Sequence, residues 1–184
     1  MYPVSRRSSR LELRELAPND VDAVLAIYGN AKATEHLSFE PRSRSQVAVI
    51  LDRSITLAAV TPRIEYSLSV VEQRSNSLIG FARLAMDPHQ ERAATMGFAL
   101  RPDVWGAGYG VETVHLLLGL GFEELDLHRV WGARSPLNTT SAKTMTKAGM
   151  IEDYTIREHI QKSGKWRDSV VHTILDREWR DQQA

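Results

Sequence analysis

Apolar and charged residues alternate along Leu11-Glu12-Leu13-Arg14-Glu15-Leu16, which is the period of a half-buried strand. Pro18-Asn19-Asp20 then predicts a helix start, with Asn19 or Asp20 as cap and Val21, Val24, Leu25 and Tyr28 on one face. The pattern breaks over Ala31 to Arg44, read as a loop or broken helix that exposes an aromatic. Helical spacing resumes from Ser45 to Ala59 through Val47, Ile50, Leu51 and Ile55. From Ile64 the period changes to that of strands. Tyr66, Leu68 and Val70 alternate, and Leu78 to Leu84 and Ala94 to Leu100 follow after short polar links, predicting an antiparallel meander with a turn at Asp87 to Arg92. Val111, Val114, Leu118, Phe122 and Leu125 form one helical stripe, so Val111 to Leu125 is expected as a helix with a buried face. A strand over Arg129 to Ala133 comes next. A helix from Asn138 to Ala148 follows, capped by Asn138 and stopped by Gly149. Ile151 to Gln161 and Ser169 to Leu175 read as two closing strands around a turn at Ser163-Gly164.

The 184 residues suit one domain, expected over residues 11–180, after a flexible N-terminal segment at residues 1–10. With 42% hydrophobic and 25% charged residues, the composition is that of a packed globular protein. Basic and acidic residues balance at 23 each, which removes the bulk attraction that nucleic-acid or anionic-membrane binding rests on. Neither partner is expected, and any anion site must be local. The chain has no cysteine, which excludes disulfides, thiolate metal sites and a cysteine nucleophile. No apolar run approaches the length of a membrane span, so a cytoplasmic protein is the expectation.

The connection from the third meander strand into the Val111 helix carries the chemistry. Arg101 to Gly110 holds glycine at positions 106, 108 and 110. Glycines there let the backbone approach a ligand and present N–H groups at the positive end of a helix dipole, an arrangement suited to phosphate. A strand-to-helix turn needs glycines in any case, so the spacing alone leaves phosphate binding open. Gly110-Val111-Glu112 lacks the Lys-Ser/Thr of a nucleotide P-loop, and the preceding strands are antiparallel, unlike a dinucleotide-binding unit.

Leu100-Arg101-Pro102-Asp103-Val104-Trp105-Gly106-Ala107-Gly108-Tyr109-Gly110-Val111-Glu112 resembles the pyrophosphate-binding motif of the GNAT N-acetyltransferases, in the form found in the Rim-type ribosomal-protein N-terminal acetyltransferases. Phe122 to Val130, Asn138-Thr139-Thr140-Ser141 with Lys147-Ala148-Gly149-Met150, and Gly164-Lys165-Trp166-Arg167-Asp168 are similar to the same subgroup, and the resemblance spans Leu11 to Trp179. The motif departs from its common form at Ala107, where lysine is frequent, and at Gly110, where alanine is. The resemblance implies an α/β (α+β) fold: a central mixed, mostly antiparallel twisted sheet with helices on both faces and a V-shaped splay between the fourth and fifth strands, here Ala94 to Leu100 and Arg129 to Ala133.

The resemblance further implies acetyl-CoA as acyl donor, no metal, and direct attack by an amine without a covalent acyl-enzyme. It places the donor on Phe98, Ala99 and Leu100, on Gly106, Ala107, Gly108, Tyr109, Gly110 and Val111, and on Asn138. A backbone N–H near Ala99 or Leu100 is to polarise the thioester, an effect of about 3 to 4 kcal/mol elsewhere. Ser141 stands where a serine protonates the leaving thiolate, and it serves equally as a first-turn capping residue. The position of the relatives' proposed carboxylate base falls on Ile160. Glu158 is the substitute if Ile156 to Ile160 is extended, because the two would then share a face. His36, Phe39, Glu40, Trp166 and Asp168 are candidates for the acceptor site. The acceptor is an amine on a protein N-terminus or a small molecule, and a homodimer is compatible with the chain. The missing carboxylate motivates an alternative, a catalytically weak acyl-CoA-binding module. A longer donor such as succinyl-CoA is another.

Overall fold

A computed structural model describes residues 2–183. One eight-stranded sheet runs through it in the order β1-β2-β3-β4-β5-β6-β8-β7. The strands are β1 (Ser5–Arg7), β2 (Leu11–Glu15), β3 (Glu65–Glu72), β4 (Ser77–Met86), β5 (Ala93–Leu100), β6 (Arg129–Arg134), β7 (Ile151–Lys162) and β8 (Lys165–Leu175). Every neighbouring pair is antiparallel except β5 and β6. The meander expected from the alternation is therefore present, as is the mixed sheet.

Helices cover both faces. On one, α1 (Val21–Tyr28) and α3 (Arg44–Ala58) bury Val24, Ile27, Val47 and Leu51 against Leu78, Phe81 and Ala99, with the short α2 (Ala31–Thr34) between them. On the other, α4 (Tyr109–Gly119), α5 (Thr139–Lys147) and α6 (Asp176–Gln183) bury Val114, Leu118, Met145, Ala148 and Trp179 against Leu68, Leu84, Val130 and Ile174. The α3 start is set by Ser43, whose hydroxyl accepts from the Gln46 amide while Gln46 returns the bond to the Ser43 amide.

Four expectations need correcting. The N-terminal segment, expected to be flexible, carries β1, which pairs with β2, and is tied to α4 and the turn after it: Arg6 bonds Glu123 and Glu124, and Glu112 accepts from the Ser8 hydroxyl and the Arg10 amide. The splay thus lies between the fifth and sixth strands of the chain. Asp20 does not cap α1 with its side chain; its carboxylate turns back to the Ala17 amide at 2.8 Å and to Arg14 at 2.7 and 2.8 Å. The Val111 helix starts two residues early and ends in a π turn, Leu120–Glu124, where the Leu125 amide reaches the Leu120 carbonyl at 3.1 Å. The stripe spacing runs straight through that turn, so periodicity alone did not distinguish it.

Candidate active site

The sheet opens at its one parallel junction. β5 and β6 pair from Ala93↔Arg129 to Met96↔Gly132 and no further, so Gly97 to Leu100 has no strand on its β6 side. Residues of β5 alternate in the direction of their backbone groups. Arg101 donates to Ile79 and Ala93 accepts from Asp87, which turns the odd-numbered residues to β4 and leaves the backbone of Phe98 and Leu100 facing the opening. The Ala99 amide is therefore spent on the ladder, and of the two amides expected to polarise the thioester the Leu100 amide is the one that faces the splay.

Beyond Leu100 the chain makes a single 3-10 turn at Pro102–Val104, and the Trp105 indole N–H donates to the Leu100 carbonyl at 2.9 Å. Gly108 is the residue before α4 and has a φ of 84°, a left-handed conformation that any side chain would strain. Among the described residues no hydrogen bond uses the amides from Gly106 to Val111; the first helical bond into this loop comes from Glu112. Six N–H groups are thus left unpaired in the loop and first turn at the N-terminus of an 11-residue helix. Gly110 faces α5, where an added Cβ would come within 3.1 Å of the Thr144 methyl.

Arg10 braces the loop from behind. It bonds Glu112 through Nε at 2.7 Å, donates to the Ala107 carbonyl at 2.9 Å, and lies 4.5 Å from the centre of the Tyr109 ring. Ala107 accordingly turns away from the cavity in front of the loop, while Gly106, Gly108, Tyr109, Gly110 and Val111 line it. That cavity has a volume of about 420 Å³ and reaches Phe98, Ala99, Leu100, Asn138 and Ser141, with Lys32, Lys143 and Lys147 adding positive charge.

Asn138 caps α5 by accepting from the Ser141 amide at 2.9 Å. The turn ahead of it is held by Arg134, which donates to the Ser135 and Pro136 carbonyls, to Glu152 at 2.8 Å and to the His172 Nε2 at 3.0 Å. Burial, and then the nearby Arg134 charge, push the His172 pKa down, which keeps the ring neutral and able to accept that bond. The Ser141 hydroxyl has no partner among the described residues.

A second cavity, of about 370 Å³, opens on the α1 side of the sheet. Tyr28, Phe39, Phe81 and Trp131 give it an aromatic wall, with Tyr28 and Phe39 edge to face at 4.9 Å. Burial raises the Tyr28 pKa, so its hydroxyl stays protonated. Six residues line both cavities: His36, Leu37, Phe98, Ala99, Asn138 and Ser141. The two spaces meet where the strands part.

A family model described as the acetyltransferase (GNAT) domain matches residues 10–151. The chain belongs to the GNAT acetyltransferase family. The GNAT chain is similar to an uncharacterized N-acetyltransferase, p20, of Bacillus licheniformis, 24% identical with 94% of this chain and 96% of the relative covered. A GNAT-family acetyltransferase from Bacillus anthracis has the same fold, with a TM-score of 0.85 at 21% identity, covering 95% of this chain and 99% of that one. A spermidine N-acetyltransferase from Vibrio cholerae, solved in complex with CoA and spermine, gives a TM-score of 0.81 at 20% identity over 94% and 99% of the two chains. The fold and the acetyltransferase class expected from the sequence both stand.

Within this GNAT domain the acceptor-side candidates divide. His36 and Phe39 line the second cavity, as does Ile160. Glu40, Glu158, Trp166 and Asp168 do not. Glu158 sits in a bulge: Ile156 pairs with Ser169 and Ile160 with Arg167, so three residues of β7 oppose one of β8. Its φ is 49° and its amide donates to Asp168 at 2.8 Å, so the extended geometry that put it beside Ile160 is absent and the Asp168 carboxylate is already engaged. Trp166 is 59% exposed near the hairpin tip, and Glu40 accepts from Ser163 in the hairpin turn. Sequence reasoning missed Tyr28, Arg83, Trp131, Arg167 and the three lysines as cavity residues; of these, Arg167 and Lys147 lie in segments that carry the resemblance, and the others in none.

Proposed function

We propose that this GNAT protein moves the acetyl group of acetyl-CoA directly to a primary amine, on a protein N-terminus or a small molecule, in a ternary complex. The observation that carries this reading is the meeting of the two cavities at the splay, over Phe98, Ala99, Asn138 and Ser141. The donor pyrophosphate takes the free amides from Gly106 to Val111, with Lys32, Lys143 and Lys147 matching further phosphate charge. The pantetheine arm takes the open backbone edge at Phe98 and Leu100, and the Leu100 N–H polarises the thioester carbonyl.

The amine enters from the second cavity and attacks the carbonyl carbon, and the C–S bond then breaks. Ser141, whose hydroxyl is free, donates its proton to the leaving thiolate. No carboxylate lines the acceptor cavity. His36, the single imidazole common to both cavities, takes the amine proton, a modest demand for an α-amine whose pKa is about 7.7 to 8.0. The likeness of the loop to Rim-type enzymes supports an α-amine, and the aromatic second cavity supports a small molecule equally well.

Incubation with acetyl-CoA and a panel of amino acids, short peptides and polyamines, with thiol release and product mass recorded, tests the reading. Amine-dependent release with one acetyl group on the product is expected. Tight acetyl-CoA binding with no amine-dependent release contradicts it and leaves a binding module.

A further inference from the structure

The acceptor cavity is walled by three arginines and no carboxylate. Arg83 is matched by Glu65 at 2.9 Å, and Arg134 is matched by Glu152 and spent on two carbonyls. Arg167 differs from both. No ion pair reaches it among the described residues; one terminal nitrogen donates to the His36 carbonyl at 3.1 Å, and its buried Nε has no partner at all. Desolvation without a compensating charge holds its pKa below the usual guanidinium value.

An unmatched guanidinium at a cavity wall is an incomplete ion pair. A polyamine is the wrong ligand for such a wall, because a second ammonium would meet Arg167 with no carboxylate to hold it. We infer that the acceptor is a primary amine carrying its own oxyanion, a carboxylate or a phosphate, which Arg167 binds while the aromatic wall of Tyr28, Phe39, Phe81 and Trp131 packs the remainder. The amine is then directed toward His36 and Ser141 at the mouth of the splay. The carbonyl contact to His36 gives Arg167 a second consequence: anion binding and the placement of His36 are coupled through one side chain.

The assignment rests on the transferase reading, and two measurements separate their failures. Calorimetry on the protein saturated with CoA tests the ligand class, using phenylalanine against phenylalaninamide for the carboxylate and phosphoethanolamine against ethanolamine for the phosphate, with spermidine as a third arm. At least one anionic member should bind roughly tenfold to a hundredfold tighter than its neutral partner, and spermidine should bind weakly. Arg167→Met should abolish that preference without changing affinity for CoA, and Arg167→Lys should restore part of it. Equal binding of anionic and neutral partners, tighter binding of spermidine, or an Arg167→Met variant that weakens all amines alike overturns the assignment. Thiol release from acetyl-CoA with the same amines tests the transferase reading itself. Selective anion binding without thiol release overturns that reading alone.

Discussion

Gly108 holds a left-handed backbone angle in the loop proposed to take the pyrophosphate. The left-handed φ carries the chain from the unpaired loop amides into α4, and a side chain there would be strained and would press toward Arg10 behind the loop. Gly108→Asp adds backbone strain and sets a negative charge beside Arg10, the residue that braces the loop, so acetyl-CoA affinity should fall by at least roughly a hundredfold in calorimetry, equivalent to about 2.7 kcal/mol. Ser141→Ala is expected to lower kcat by roughly a hundredfold with little change in acetyl-CoA affinity, the signature of a lost proton donor. Asn138→Ala should instead cost about 1 kcal/mol of stability in denaturant titration, because it removes the α5 cap. The residues around the first cavity were legible because a glycine-rich loop and a helix cap are written in consecutive positions. The acceptor side was not: Arg167 and Tyr28 reach one cavity from β8 and α1, and Glu158 failed because a three-against-one bulge leaves no trace in side-chain alternation.

At the scale of elements, the site depends on how each helix start is fixed. The 3-10 turn at Pro18–Asp20 delivers α1, and with it Tyr28, and it is held by Asp20, which is 6% exposed. Burial acts to raise the Asp20 pKa, but the bonds from Arg14 and the Ala17 amide outweigh it and the net shift is downward. The native carboxylate therefore keeps its charge to lower pH than the unfolded one. Its stabilisation is fully present above the unfolded value of about 3.9 and is lost as pH falls through the lower folded value. Asp20→Asn should be less stable than the parent by about 1 to 3 kcal/mol near pH 7, with the gap closing below pH ~4 in denaturant titrations. A gap independent of pH contradicts the role given to the carboxylate. The strands and most helices were readable from their periods, whereas β1 and α6 were missed. β1 has three residues, too few to show an alternation, and α6 buries little besides Trp179, which packs near Phe122 and His115.

For the whole molecule, the sheet is two antiparallel blocks joined by only four residue pairs between β5 and β6. Along the free edge from Gly97 to Leu100, the Phe98 backbone and the Leu100 amide have no strand beside them. Hydrogen exchange at Phe98 and Leu100 should be fast in the free protein and slowed when CoA is bound, while the β3 and β4 amides stay protected throughout. In the proposed reaction donor and acceptor meet across this gap and react directly, with no acyl group passed to the protein. Initial velocities of thiol release, measured while acetyl-CoA and an amine that accepts its acetyl group are varied together, test this. Intersecting double-reciprocal lines, the pattern of a ternary complex, are the expected result. Parallel lines would reveal an acyl-enzyme intermediate and contradict the account.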